Sequence, residues 1–512
     1  MREASRPPFA TAVVGSLAVV KLSAHVATNA FGPYEFHRDE FLYFAMGEHF
    51  RLWHMDFPPL IAIESMVTRL LFGDSLVALR LPPAIMSTLL LILAALMARE
   101  FGGGRAAQGL AALAVFASGL FLRSGSLFQP VVIDQLWWTV ALFALVKLGR
   151  TDDRRWWMLY GLATGFGLLS KFSILVFGFA TLLALLATPA RRWLRTPWPW
   201  IAAATALTLG SPSIIGQITL GFPIITYMGD LQSAQLSRVS PLSFLLEQPF
   251  MMSGFVLAVV GAAAMVGASA WAPYRLAGWA AVLSFLLLLL LRGKAYYTGP
   301  IYPILFAAGA TVFERIPVPR WRTAAQWAVG AIMVVYTATF FPLGLPILPP
   351  EQLERYLIAL GMQKTAATTN IGNRERIPQD YADMLNWEAQ VAEIARVYHA
   401  LPEADRLRAV ILVSNYGEAG SIDFYDPRYE LPPAIAYVGT YWFYGPGDLP
   451  GEVLILHGFP EDDWTELCGS RTAGGFVTHP FAVAEQRDLT IFVCRAPNTT
   501  LQDVWPQLER RQ

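Results

Sequence analysis

The sequence predicts a polytopic α-helical membrane protein that carries a soluble α/β domain at its C-terminus. Three observations support this prediction: 55% of the 512 residues are hydrophobic, only 15% are charged, and the long apolar runs stop near residue 345. Soluble domains carry about 25% charged residues, so most of this chain is suited to lipid. We therefore divide the chain into a membrane region, residues 1–345, and a soluble domain, residues 346–512.

Eleven apolar runs approach the length of about 20 residues that a helix needs to cross a bilayer. No clean cleavage site follows the first run, so we expect it to remain as a span. Two neighbouring short runs flank Lys171 and could be two tilted spans or one broken element. The runs are residues 9–29, 82–98, 106–122, 131–148, 156–170, 172–188, 199–216, 250–270, 276–291, 299–313 and 324–343.

The positions of Lys and Arg predict the orientation, because cytoplasmic loops carry an excess of both residue types. Basic residues cluster in alternate loops, as at 147–155, 191–195 and 315–322. If those loops are cytoplasmic, the N-terminus is cytoplasmic and eleven spans place the C-terminal domain outside the cytoplasm. The long first loop, residues 30–81, and the segment 217–249 then lie on the same outer side.

The soluble domain alternates between helix and strand patterns. Residues 380–400 have helical periodicity, whereas Ala409–Ser414, Val453–His457 and Thr490–Cys494 are short runs suited to buried strands. This alternation predicts a small α/β domain.

The chain has two cysteines, Cys468 and Cys494, and both lie in the soluble domain. They could pair in an oxidising compartment, or they could remain two small buried hydrophobic residues. The formal net charge of the chain is zero, which gives no indication of a nucleic-acid partner.

The first loop contains the densest set of residue types that carry chemistry. Asp39 and Glu40 follow the first span, Tyr43 lies four residues after Asp39, and His54 and Asp56 come later in the loop. A carboxylate at this position could be an ordinary solvated loop residue. Among the surrounding apolar and aromatic residues it could instead act as a general base.

The same loop raises the question of a metal cofactor. His37, Asp39, His54 and Asp56 are residue types that bind metal ions, but their spacing matches no compact ligand motif. A divalent cation that bridges carboxylates and a phosphate is an open alternative.

Charged residues also lie at the outer ends of the apolar runs. Asp134 begins a strongly apolar run, where an acid is costly unless it is functional or is favoured by the helix dipole. The orientation rule does not explain Lys171 and Lys294, and the latter precedes Tyr296 and Tyr297. Both lysines could stabilise a lipid phosphate, or their ammonium groups could extend to the lipid headgroups.

These candidates lie within short motifs that recur in a fixed order along the chain. The motifs are Asp39-Glu40-x-x-Tyr43, Asp56-x-Pro58-Pro59-Leu60, Phe72–Leu76 with Leu79–Pro82, Ala98–Gly103, Asp134–Trp138, Leu169–Ser173, Gly293–Tyr297 and Ser414–Gly420.

In these motifs the chain resembles the family 39-type glycosyltransferases of the GT-C fold. That group includes the protein O-mannosyltransferases, the aminoarabinose transferases of lipid A and the Rgt-type core transferases. The resemblance covers about residues 30–310, and the C-terminal part is similar to the soluble domain of bacterial members at Ser414–Gly420. It implies a GT-C type membrane region of about eleven helices in the bacterial inner membrane.

The resemblance further implies a polyprenyl-phosphate-linked sugar as the donor. The acceptor would be a hydroxyl of an envelope glycan, glycolipid or protein outside the cytoplasm. Asp39 matches the acid considered to be the catalytic base, and Asp134 matches an acid that lines the same cavity in aminoarabinose transferases. Many bacterial members have His after the acid of the second motif, where this chain has Phe57, so the metal-site resemblance is weaker.

The sequence thus predicts a membrane glycosyltransferase with an inverting mechanism. A transporter or flippase is the alternative, although we find no internal repeat of the kind that many transporters have. A catalytically silent envelope-assembly protein is a third hypothesis. The predicted site residues are Asp39 and Glu40 for catalysis, Lys171, Lys294, Tyr296 and Tyr297 for the donor phosphate, and Asp134, Tyr43, Asp56 and His54 around the acceptor.

Overall fold

The computed structural model describes residues 6–53, 55, 57–460, 464 and 467–509, and its first 345 residues are almost entirely helical. Each of the eleven predicted apolar runs overlaps a helix. The helices of this region are α1 (Thr11–Phe31), α2 (Arg38–Glu48), α3 (Leu60–Phe72), α4 (Leu76–Glu100), α5 (Arg105–Ala117), α6 (Gly119–Ser124), α7 (Pro130–Thr151), α8 (Arg155–Ser170), α9 (Ile174–Ala187), α10 (Trp198–Leu209), α11 (Ser211–Thr219), α12 (Pro223–Ala234), α13 (Pro241–Met251), α14 (Phe255–Gly267), α15 (Arg275–Leu290), α16 (Tyr302–Glu314) and α17 (Pro319–Gly344).

The described part of the structure gives fewer candidate membrane spans than the sequence has apolar runs. Within the described residues, five helical segments are long and apolar enough to cross a membrane, and up to eight are if each sharply bent pair forms one span. One bent pair is α10 with α11, which meet at 54°. The count of eleven spans therefore stays a prediction.

The two short runs around Lys171 form separate helices. Lys171 has an extended backbone that ends α8, and α9 begins three residues later. Helix α8 packs between α7 and α10, whereas α9 packs against α15. Of the two alternatives, the structure favours two elements over one broken element.

The first loop is more regular than its composition suggests, because much of it folds as α2 and α3. Helix α2 starts at a capping box: the His37 side chain accepts a backbone N–H, and Glu40 accepts the N–H of His37. Helix α3 buries Ile61 and Ala62 and leaves Leu70 83% exposed. The segment 217–249, which is also polar in part, contains α12 and α13.

The C-terminal domain contains a five-stranded mixed sheet of order β2-β1-β3-β5-β4. Strand β1 pairs in parallel with β2 and β3, and β5 pairs antiparallel with β3 and β4. The three predicted strands are confirmed, whereas β2 and β4 have no counterpart in the prediction. The helical pattern predicted over residues 380–400 forms two helices in the structure, Gln379–Ala382 and Trp387–His399. The elements are α18 (Pro350–Ala359), α19 (Gln363–Ala366), α20 (Gln379–Ala382), α21 (Trp387–His399), α22 (Glu403–Arg406), β1 (Ala409–Val413), α23 (Tyr416–Tyr429), β2 (Ala434–Ala436), α24 (Thr440–Tyr444), β3 (Val453–His457), β4 (Cys468–Val477), β5 (Leu489–Pro497) and α25 (Leu501–Val504).

The two cysteines form a disulfide between the neighbouring strands β4 and β5. The Cα atoms of Cys468 and Cys494 are 5.4 Å apart. Of the two alternatives for these residues, the structure favours the disulfide.

Helix α17 ends at Gly344 and α18 begins at Pro350; the division of the chain at residue 345 stays a prediction.

The first loop and the C-terminal domain share one hydrophobic core. Phe41 of α2 packs edge-on against Trp387 at 5.5 Å and against Phe424 of α23 at 5.8 Å, and Phe44 packs against Phe424 at 5.4 Å. The buried cluster continues from these rings into β1, where Ile411 is fully buried. This packing fixes α23 against α2, the helix that carries Asp39.

Candidate active site

The first turn of α2 places Asp39 and Glu40 beside each other with different surroundings. Glu40 is fully buried and accepts hydrogen bonds from Arg80 Nε at 2.9 Å and Arg80 Nη2 at 2.6 Å. The backbone N–H groups of Phe128, at 2.7 Å, and His37, at 2.6 Å, donate to the same carboxylate. Glu40 thus joins α2, α4 and the start of α7 through one saturated carboxylate.

Asp39 is more open, with 29% of its side chain exposed. Its Oδ1 accepts a hydrogen bond from the hydroxyl of Tyr416, at 2.8 Å, and its Oδ2 accepts one from Gln129 Nε2, at 3.2 Å. Each carboxylate oxygen has two lone pairs, so each keeps an unused acceptor position. Asp39 can therefore accept a further proton or hydrogen bond, whereas Glu40 is already occupied.

Asp134 and Lys171 meet at the ends of α7 and α8. Asp134 lies in the second turn of α7 and is buried, and the hydroxyl of Ser173 lies 2.9 Å from each of its carboxylate oxygens. Lys171 interacts electrostatically with Asp134 and is partly exposed. The extended backbone at Lys171 positions this ammonium group beyond the end of α8.

Lys171 also lies over the rings of the Tyr296–Tyr297 pair, at 4.3 Å from the centre of Tyr297 and 5.6 Å from that of Tyr296. The two tyrosine rings pack edge-on at 4.7 Å. Cation–aromatic contacts hold an ammonium group in place without neutralising its charge. The cation therefore remains available for an anionic ligand.

Lys294 links this group to Asp39. Burial lowers the pKa of Lys294, and among nearby charges Lys171 acts in the same direction while Asp380 and Asp39 oppose it. Lys294 thus lies within electrostatic range of both the first-loop acid and the other lysine. The structure brings together the first loop, the N-terminal end of α7, the C-terminal end of α8 and the segment before α16.

The other predicted residues have different outcomes. Tyr43 lies one turn after Asp39 on α2, is buried, and packs edge-on against Phe57 at 6.5 Å. His54 and Asp56 lie outside the described residues. Across the described part of the chain, no group of three or more His, Cys, Asp or Glu side chains could hold a metal ion.

Several site residues were not predicted. Tyr416 and Gln129 donate to Asp39, and Tyr227 of α12 packs against Phe57 at 5.9 Å. Arg123 Nε donates to Asp380 at 3.1 Å. Arg123 could have been noticed in the sequence as a cation after an apolar run, and Tyr416 as a member of the Ser414–Gly420 motif. Their partners could not have been predicted, because they lie far away in sequence.

Part of the chain is similar to a known protein family. Residues 56–215 match the model of a family described as dolichyl-phosphate-mannose-protein mannosyltransferase. No curated protein matches the chain by sequence.

Solved structures provide the matches over the whole fold. The structure of ArnT from Cupriavidus metallidurans bound to undecaprenyl phosphate superposes with a TM-score of 0.63 at 15% identity, over 94% of this chain and 97% of that one. AglB from Archaeoglobus fulgidus, in complex with an inhibitory peptide and a dolichol-phosphate, gives 0.52 at 12% identity, over 87% and 69%. The arabinofuranosyltransferase AftD from mycobacteria gives 0.50 at 16% identity, over 97% and 41%. The chain therefore has the GT-C fold of these solved structures, and its residues 56–215 are similar to the mannosyltransferase family.

Proposed function

We propose that this protein transfers a sugar from a polyprenyl-phosphate donor to an acceptor hydroxyl, with inversion at the anomeric carbon and with Asp39 as the base. The observation that carries the proposal is that the partly exposed carboxylate of Asp39 lies within electrostatic range of Lys294, which in turn lies within electrostatic range of Lys171. One carboxylate and a pair of cations are the groups that such a transfer requires.

The two lysines and two tyrosines would bind the donor phosphate. Ammonium groups stabilise the negative charge that grows on a phosphate as it leaves, most strongly where water is scarce. Lys171 is held over Tyr296 and Tyr297, so its position is set before the donor binds. The lipid phosphates bound to ArnT and AglB support a donor of this class.

The acceptor hydroxyl would attack the anomeric carbon while Asp39 takes its proton. The bond between that carbon and the phosphate oxygen breaks, and the lipid phosphate leaves with the bonding electrons. A phosphate is a good leaving group, so no second carboxylic acid is needed to protonate it, in contrast to soluble glycosidases. We therefore assign Glu40 a supporting role through Arg80 instead of the catalytic role that the sequence predicted.

Asp134 would orient Lys171 instead of taking the acceptor proton. Asp134 is buried, whereas Asp39 is partly exposed, and the positive charge that acts on Asp134 is that of Lys171. Tyr43 would support the first loop through Phe57, and His54 and Asp56 remain predicted acceptor-side residues.

The acceptor would be an envelope glycan, glycolipid or protein on the outer side of the bacterial inner membrane. The distribution of basic loops and the disulfide between Cys468 and Cys494 support this side for the C-terminal domain. A topology reporter fused after residue 350 measures the orientation. A cytoplasmic signal from that reporter would contradict it.

A divalent metal ion remains a proposed cofactor. Asp39 could share such an ion with the donor phosphate, but the described residues offer no complete set of ligands. Transfer measured with and without EDTA, and after re-addition of Mg²⁺ or Mn²⁺, decides whether an ion is required.

The proposed function is tested with purified protein in proteoliposomes. The donors are undecaprenyl-phosphate-linked hexoses and pentoses carrying a radiolabel, and the acceptor is an envelope fraction from cells that lack the protein. We expect covalent transfer by the wild type and a loss of about 10²- to 10⁴-fold in Asp39→Asn, the usual contribution of a general base.

The matched control is Asp152→Asn, because Asp152 is an exposed acid that pairs with Arg192 on the surface. It should keep wild-type turnover. Wild-type turnover in Asp39→Asn would remove the base from the mechanism. Movement of the labelled lipid across the bilayer without covalent transfer would favour a flippase.

A further inference from the structure

The segment Ser414–Gly420 forms a tightly determined turn at the start of α23. The side chain of Asn415 accepts the backbone N–H groups of Gly417, at 2.9 Å, and Glu418, at 3.0 Å. In return, Glu418 Oε2 accepts from the backbone N–H of Asn415, at 3.3 Å, and also from that of Ser414, at 2.9 Å. This capping box fixes the direction in which Tyr416 leaves the backbone.

Two glycines allow α23 to lie directly against α2. A Cβ atom at Gly417 would be 2.4 Å from Cγ of Arg38, and one at Gly420 would be 2.7 Å from the backbone oxygen of Phe41. The second contact is with backbone, which cannot rotate away. The two helices can therefore approach this closely only because both positions lack a side chain.

The close approach brings the Tyr416 hydroxyl to Asp39. The O–H donates to Asp39 Oδ1 at 2.8 Å, between residues 377 positions apart. Burial raises the pKa of Tyr416 well above its usual value, and the negative charge of Asp39 raises it further. The phenol therefore keeps its proton at neutral pH and acts as a donor to the carboxylate.

We infer that Tyr416 is a positioning residue for Asp39, and that the C-terminal domain is consequently a part of the active site. This inference rests on the proposed role of Asp39 as the base. The Tyr416 and Gln129 hydrogen bonds hold the two oxygens of the carboxylate from two sides. The plane of the carboxylate is thereby fixed before an acceptor arrives, which is the alignment that proton transfer requires.

The variant Tyr416→Phe isolates the hydroxyl, because the ring and its packing remain. Because a base that is no longer aligned accepts the proton less readily, we expect kcat to fall about 10- to 100-fold. KM for the undecaprenyl-phosphate sugar should change less than about twofold, since the phosphate-binding lysines are untouched. The melting temperature of the full chain should stay within about 2 °C of the wild type, because Phe preserves the packing.

Tyr429→Phe is the matched control. Tyr429 lies on the same helix, and its hydroxyl contacts Glu388, at 3.3 Å, away from Asp39. This variant should have wild-type kinetics. Equal losses in the two variants would show that α23 tolerates no loss of a hydroxyl and would overturn the inference.

A double-mutant cycle separates the inference from the proposed function. If Tyr416 acts through Asp39, adding Tyr416→Phe to Asp39→Asn should cause no further loss in single-turnover rate. An undiminished loss in the double variant, or wild-type kcat in Tyr416→Phe beside an inactive Asp39→Asn, would overturn the positioning role alone. Wild-type turnover in Asp39→Asn would instead contradict the proposed base.

Discussion

The first turn of α2 carries two carboxylates, and the regions of the molecule around them differ in burial and in the number of hydrogen-bond donors. On one side, Glu40 is fully buried and saturated by Arg80 and two backbone N–H groups, so it links α2, α4 and the segment just before α7. On the other side, Asp39 is partly exposed and lies within electrostatic range of Lys294. Two adjacent carboxylates thus have different roles: Glu40 stabilises the fold, and Asp39 is the proposed reactive group. Burial and the number of donors, rather than sequence position, decide which role each has.

The largest effect should come from removing the buried ion pair between Glu40 and Arg80. Glu40→Gln leaves the buried guanidinium of Arg80 without its counter-charge, which costs about 3–5 kcal/mol. We expect little folded, monodisperse protein after purification and a strongly lowered melting temperature. Asp39→Asn, one residue away, should purify and melt like the wild type. Equal stability of the two variants would contradict the different roles of Glu40 in stability and of Asp39 in the reaction.

The next effect should come from the reactive side. Lys171→Met removes a cation from the site while keeping an apolar chain of similar length over Tyr297. If Lys171 stabilises the leaving phosphate, kcat should fall about 10²- to 10³-fold. Lys364→Met, at an exposed position of α19, serves as the control and should be neutral. A change in melting temperature without a change in kcat would show that Lys171 stabilises the fold and does not act on the leaving phosphate.

A third effect concerns the buried carboxylate of Glu418 in the C-terminal domain. Burial raises the pKa of Glu418 to about 7, although hydrogen bonds from Gln486 and Ser414 lower it, compared with an ordinary value of 4.5. Between these values the folded chain keeps a proton that the unfolded chain loses. The stability due to Glu418 is therefore full below pH 4.5 and decreases as the pH rises to 7, by about 3 kcal/mol.

Glu418→Gln should abolish this pH dependence, because a neutral amide does not titrate. The amide of Gln486 can rotate to offer its Oε1, which has no hydrogen-bond partner in the described part of the chain. The measurement is the melting temperature of the full chain from pH 5 to pH 8. The difference between variant and wild type should grow in favour of the variant as the pH rises. Parallel curves would contradict the assignment.

The smallest effect should come from an ion pair outside both regions. Arg376 and Glu354 pair in the C-terminal domain at 2.6 Å, with 45% of the arginine side chain exposed. Exposed pairs contribute about 0–1 kcal/mol, so Glu354→Gln should change the melting temperature by a few degrees at most and leave kcat unchanged. A larger loss would show that charge pairs matter here irrespective of burial.

The membrane helices and the buried strands could be predicted from the sequence, because their signals are local. Apolar runs such as residues 131–148 and Val453–His457 report the surroundings of the residues that form them. The regular structure of the first loop was missed because α2 is capped by a His side chain, which is not among the preferred capping residues.

The site was predicted only where chemistry is visible in single residues. Asp39, Asp134, Lys171 and Lys294 are charged groups at the edges of apolar runs, and the structure brings them together. The partners that decide their roles could not be predicted. No residue near Glu40 in the sequence indicates its ion pair with Arg80, and none near Asp39 indicates its hydrogen bond with Tyr416. Contacts across 40 and 377 positions depend on the tertiary packing.

The hydrogen bond between Asp39 and Tyr416 also has a consequence for biosynthesis. Ribosomes add about 5–20 residues per second, so roughly 20–75 s separate the emergence of one partner from that of the other. Late in that interval the first loop and both lysines have been made, but the tyrosine has not. A nascent chain would thus be less active towards the lipid donors around it until its last domain has been made. Full catalytic competence then reports that translation of the chain is nearly finished.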